Sequence, residues 1–243
     1  IRDTDAPHEE VPPPGEPADG AQPSEGSPDG SPGEPAGAAR GRPDGPGDPA
    51  GALALRLTAL RRRVAALVER RSADDPTAGD PLRGLHLPEA AVRHRLRTPA
   101  EPEEGEILAD HPLHGAAPVG PDDRLARLAR RLDLTDQDTA ILLIAAAPDL
   151  DRNFETFYAY LNDDVGRRRP TVGLALDLCG LSTLDALARD HFHPTAPLSR
   201  LGLLDVGDRD APFLGRPLRV PDRLIAHLLG NDVPDAALEG HVR

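Results

Sequence analysis

Three consecutive arginines, Arg167, Arg168 and Arg169, stand between the acids Asp163 and Asp164 and a proline-led apolar run, just downstream of Tyr158 and Tyr160, the chain's two tyrosines. Arginine and tyrosine are the usual anchors of protein interfaces. With Asn162 these residues form a candidate partner-binding set. The triplet could also neutralise phosphates at the entrance of a helix running from Thr171 to Cys179, with Arg216 and Arg219 nearby on a second basic strip. A structural role competes with both. The arginines can pair with Asp163, Asp164 and Asp177, and Phe154, Phe157 and one tyrosine can be core.

Other reactive residues offer less. His191 and His193 share a face only on a strand, and zinc needs three or four protein ligands, so surface or helix-end histidines are the simpler reading. His111 and His114 lie in an irregular connection. Cys179 is the single cysteine. It sits among Leu176, Leu178 and Leu181 as a small core residue and lacks an evident base to make it a nucleophile. Asp163/Asp164 and Asp122/Asp123 read as helix-end groups rather than an acid–base pair. At a helix C-terminus, Asp163 and Asp164 need neighbouring arginines to compensate them. All 28 basic residues are arginine. Without lysine there is no G-x-x-x-x-G-K-[ST] phosphate loop and no Schiff-base chemistry. No dinucleotide loop is visible, so we expect no catalytic, metal or cofactor site in this chain.

Elements must position these residues. Residues 1–50 hold twelve Pro and nine Gly, with 3 Arg against 11 acids, a net charge of −8 out of −13. Such a segment buries too little apolar area to offset ordering entropy, and it reads as a disordered acidic tail. From Ala52 to Arg71, Leu53, Leu57, Leu60, Val64 and Leu67 line one helix face, with Arg61, Arg62, Arg63, Arg70 and Arg71 on other faces or in the last turn. The stripe suits packing within the domain better than a coiled coil. A short helix over 88–96 and a Pro/Glu-rich connection over 98–121 complete a helical segment with an irregular linker, residues 51–121.

The densest folded pattern covers 122–233. Leu125, Leu128 and Leu132 mark one helix. Thr135 and Asp138 open another with an imperfect capping box; it is apolar all round from Ala140 to Ala147, and Pro148 ends it. A helix carrying Phe154, Phe157, Tyr158 and Leu161 follows. "RPTVGLALDLCGL" is ambiguous between strand and helix. Helix is favoured, with Pro170 at its first position and Gly180 as its cap. Ser182 starts a further helix to Asp190. "GLLDV" and "FLGRPLRV" flank the polar turn "GDRDAP" as a β-hairpin. Asp222 begins a last helix packing Leu224, Ile225, Leu228 and Leu229. The fold class is mainly α with a small β-hairpin wing: a winged-helix-like domain preceded by a helical segment and a disordered tail.

"LLIAAAPDLD", "YAYLNDDVGRRRPTVGLALDLCGL" and "VPDRLIAHLLG" together resemble the winged-helix region that precedes the motor in a group of actinobacterial AAA-type ATPases. Some of these are encoded beside contractile injection systems. The resemblance covers roughly residues 51–233, and the central 24 residues carry most of its specificity. It implies a non-catalytic N-terminal module that engages a protein substrate or assembly partner, or regulates the motor. ATP and magnesium would belong to the parent, and homo-oligomerisation to the missing module. Residues 234–243 would start the linker to it. The chain opens on Ile1 and lacks methionine, and we read it as a piece of a longer protein. A DNA-binding winged-helix regulator is the alternative. Net acidity and a candidate reading helix nearly devoid of Arg, Asn and Gln make nucleic acid the weaker partner. No membrane span and a single cysteine suggest a cytoplasmic setting.

Overall fold

The computed structural model describes residues 48–80, 82–97, 113 and 123–233. All of these belong to the unit Asp44–Arg243. The tail assigned to 1–50 lies outside the described residues except for its last three, the linker 98–121 except for Leu113, and the stretch 234–243 entirely.

Those three tail residues are helical or capping. Asp48 accepts a hydrogen bond from the Ala50 amide at 3.1 Å, and Pro49 opens helix α1 (Pro49–Ala73). Proline suits a first turn because its missing N–H would have had no partner there. The helix therefore begins before its apolar stripe does. Leu53, Leu60, Val64 and Leu67 are buried along α1, and Arg56 and Arg63 are buried with them. Arg63, expected on another face, falls three residues after Leu60 and so shares its stripe. Its Nε donates to the Leu178 carbonyl. Arg56 gives Asp123 Oδ2 two hydrogen bonds, at 2.9 and 2.6 Å.

Helix α2 (Glu89–Arg97) buries only Ala91. Helix α3 (Arg124–Leu132) is capped by Asp123, whose Oδ1 accepts from the Ala126 amide at 2.9 Å. One aspartate thus starts α3 and holds α1. Helix α4 (Asp136–Leu150) has a complete capping box. Thr135 Oγ1 accepts from the Asp138 amide, and the Asp138 carboxylate accepts from the Thr135 amide, both at 3.0 Å. From Ala140 to Ala147 every residue is buried. Pro148 does not end this helix; it lies inside it. Proline deprives the Ile144 carbonyl of its helical donor, and the Tyr158 hydroxyl supplies one at 3.0 Å.

Helix α5 (Asn153–Leu161) buries Phe154, Tyr158 and Leu161. Helix α6 (Val172–Cys179) settles the strand–helix ambiguity in favour of helix. Thr171, not Pro170, opens it: Thr171 Oγ1 accepts from the Leu174 amide at 3.2 Å, so Pro170 stands before the cap. Gly180 closes it at φ 68°, a left-handed geometry that costs glycine least. Helix α7 (Ala186–Asp190) starts at Asp185 rather than Ser182, and a one-turn helix α8 (Pro197–Arg200) follows.

Strands β1 (Asp205–Val206) and β2 (Leu218–Arg219) pair antiparallel, Asp205 with Arg219 and Val206 with Leu218. The hairpin is present but shorter than its sequence pattern, because Phe213–Gly215 forms a 3₁₀ turn. On its other side the β2 segment meets the lead-in to α6. Val172 N–H donates to the Arg216 carbonyl at 3.0 Å and Leu218 N–H to the Pro170 carbonyl at 2.8 Å. Helix α9 (Asp222–Leu228) packs Leu224, Ile225 and Leu228, whereas Leu229 lies past its end and is half exposed. One hydrophobic core joins residues of α1 to those of α3–α6 and α9.

Candidate functional site

The arginine triplet lies in the corner between α5 and α6, and Asn162 shapes that corner. Its Nδ2 donates to the carbonyls of Arg167 and Arg169, both at 3.1 Å, and its Oδ1 accepts from Thr171 Oγ1 at 3.1 Å. Both Nδ2 protons and one lone pair of Oδ1 are thereby committed to the loop. Asn162 thus staples the loop. Asp163 takes a left-handed φ of 52°. It pairs with Arg83 at 3.4 Å and also with Arg95. The acids at this helix end are indeed compensated, but largely by arginines far away in sequence.

The remaining candidates separate by exposure. Tyr158 is fully buried and cannot face a partner. Tyr160 is half buried: its hydroxyl lies 3.0 Å from Ser72 Oγ and accepts from Arg83 at 3.1 Å, while the Arg83 guanidinium stacks 4.4 Å from its ring. Arg169 binds both oxygens of Asp149, at 2.9 and 2.7 Å. That fork holds Arg169 above its usual pKa, against the effect of burial. Arg167 donates to Asp164 at 3.0 Å and to the Gly215 carbonyl at 3.2 Å, bridging the corner to the hairpin. Among the described residues, Arg168 has only a 3.6 Å approach to Glu155, with its side chain 68% exposed. Asp177, considered as a triplet partner, instead accepts from Arg71 at 2.5 Å. Of the six candidates, Arg168 is the one most open to solvent. It borders a groove of about 360 Å³ between the corner and the hairpin.

The arrangement also bears on duplex binding. In α6, Val172, Leu174, Ala175, Leu176 and Leu178 are all buried, so this helix cannot lie in a groove. The helix immediately before the hairpin, where a reading helix would stand, is the four-residue α8. The helix expected in that role, α6, lies two helices earlier in the chain. Arg216 turns back on its own loop, donating to the Ala211 and Arg209 carbonyls at 3.2 and 2.9 Å. Arg219 approaches Asp222 at 3.4 Å.

The histidines and the cysteine have structural surroundings. His191 Nδ1 lies 2.8 Å from Asp138, and His193 Nδ1 2.7 Å from Thr195 Oγ1. Among the described residues, no three His, Cys, Asp or Glu side chains converge as metal ligands. Burial pushes the Cys179 thiol up to about 12, against the pull of Arg63, so thiolate is scarce at neutral pH. Among the described residues, no helix is long and apolar enough to cross a membrane.

Stacked helices, a short hairpin and a lead-in segment bridged to the hairpin's far side define a winged-helix domain. The chain belongs to the winged helix domain, variant, family, whose model matches residues 53–242. No curated protein and no solved structure matches it.

Proposed function

We propose that this winged-helix domain is a non-catalytic protein-recognition module of an AAA-type ATPase. It would engage a substrate or assembly partner, or regulate the motor. The observation that carries the protein-binding reading is the exposed arginine of the corner: α6 keeps Val172, Leu174, Ala175, Leu176 and Leu178 in the core and offers little to nucleic acid. What the corner offers instead is Arg168, the outer edge of Arg167 and a small groove beside them. Arginine at the rim of a pocket suits a protein partner. The motor context rests on the resemblance of "YAYLNDDVGRRRPTVGLALDLCGL" and its flanking stretches to such ATPases. In that context ATP and magnesium belong to the parent's motor module, and this chain contributes binding alone.

Two measurements test the reading. In the parent ATPase, Arg168→Ser should weaken capture of its partner without moving the thermal midpoint. A mobility-shift titration of the chain with duplex DNA at low salt should give no complex at submicromolar protein. A salt-sensitive shift there would instead favour a DNA-binding regulator.

A further inference from the structure

A second surface carries a partner signature of its own. Helices α3 and α9 and the turn at Gly202–Leu203 enclose an open groove of about 920 Å³. Its floor is aliphatic, formed by Leu128, Leu203 and Leu224. Its rim is cationic. Arg127, Arg130 and Arg131 project from α3 and Arg223 from α9, all exposed. Arg223 donates to the Asn231 carbonyl at 2.8 Å and Arg130 to the Ala126 carbonyl at 3.4 Å, and among the described residues no carboxylate pairs with either. Among the described residues, no hydrogen bond or ion pair engages the guanidinium of Arg127 or Arg131. Among the described residues Asp232 is the one carboxylate in the lining, and it is occupied by Arg124 at 2.6 Å and His227 at 2.5 Å.

This is a local inversion of sign on a chain of net charge −13. Guanidinium forks match carboxylates two bonds at a time. An aliphatic floor gains nothing from a phosphodiester backbone but buries leucine side chains well. We propose that this groove docks an acidic, leucine-bearing helical segment of a protein partner. Carboxylates would meet the α3 and α9 arginines while one apolar edge lies on Leu128, Leu203 and Leu224, as amphipathic helices enter grooves elsewhere. The proposal concerns a surface separate from the Arg168 corner and does not depend on the ATPase reading.

The test is fluorescence anisotropy with the full chain and a labelled Glu-rich peptide carrying leucines at i and i+4. Arg127→Ser/Arg131→Ser should bind it roughly tenfold more weakly, with circular dichroism and melting unchanged. Replacing the peptide's Glu by Gln, or its Leu by Ser, should abolish binding, and Arg168→Ser should leave it unaltered. Equal binding by the double variant would overturn the proposal. So would equal loss in the Arg168 variant, equal binding of the leucine-free peptide, or displacement of the peptide by an equimolar DNA duplex.

Discussion

The Tyr158 hydroxyl donates to the Ile144 carbonyl at 3.0 Å, across the interface between α5 and α4. Pro148 stands four residues after Ile144 and has no N–H to give it. A proline that would otherwise strip the central helix of a hydrogen bond is thus matched by a tyrosine on the next helix. Burial also raises the Tyr158 phenol well above its usual pKa, keeping the donor proton in place.

Tyr158→Phe leaves that buried carbonyl unanswered and should cost about 1–3 kcal/mol in urea unfolding. Pro148→Ala restores a backbone donor, so the same tyrosine change should cost measurably less in that background. A double-mutant cycle with no coupling would remove this account of the pair.

Arg56 and Asp123 form an ion pair whose side chains are 9% and 3% exposed. Arg56→Met strands the Asp123 charge in the interior and should destabilise by about 3–5 kcal/mol. Arg62→Met, on the exposed side of the same helix, should fall within about 0.5 kcal/mol of the parent chain. Chemical denaturation of the two variants side by side checks the contrast.

His191 and Asp138 couple stability to pH. The hydrogen bond with Asp138 raises the His191 pKa above 6.5, against the effect of burial. Burial pushes Asp138 up, but hydrogen bonds from His191 and Thr135 outweigh it and hold the carboxyl below 3.8. The histidine's contribution is complete below its unfolded value of 6.5 and fades as pH rises through the higher folded value. The aspartate's is complete above 3.8 and fades as pH falls through its lower folded value. Stability from this pair is therefore greatest between those limits. His191→Gln should flatten the decline in melting temperature above pH 6.5. An unchanged alkaline slope in that variant would place the titrating group elsewhere.

Local signals were legible in the sequence, and partners distant along the chain were not. Thr135 and Asp138 announce the capping box, and Gly180 announces a helix end, because both act within a few residues. The hairpin follows from apolar runs around a polar turn. Arg56 and Arg63 were the missed residues, although a signal for them existed. They fall four before and three after Leu60, on the buried stripe, but hydrophobicity alone cannot place a cation there. The corner was legible as a corner, while its wiring was not. Asp149, Arg83 and Gly215 reach it from other elements, and no spacing rule links them to Arg169, Asp163 or Arg167. The four-residue α8 was missed because one turn carries no periodicity to detect.

The side-chain anchoring of α1 has a consequence for how the chain can be cut. Arg56 holds Asp123, Arg63 holds Leu178, Arg61 holds Asp151 and Arg71 holds Asp177, while Leu60 and Leu67 lie in the shared core. The helix is therefore kept in place much as a bound ligand is, by lock and charge rather than by its peptide link to α3. Expressed as two polypeptides divided between α2 and α3, the halves should therefore reassemble as a split protein, with co-purification of the two as the check.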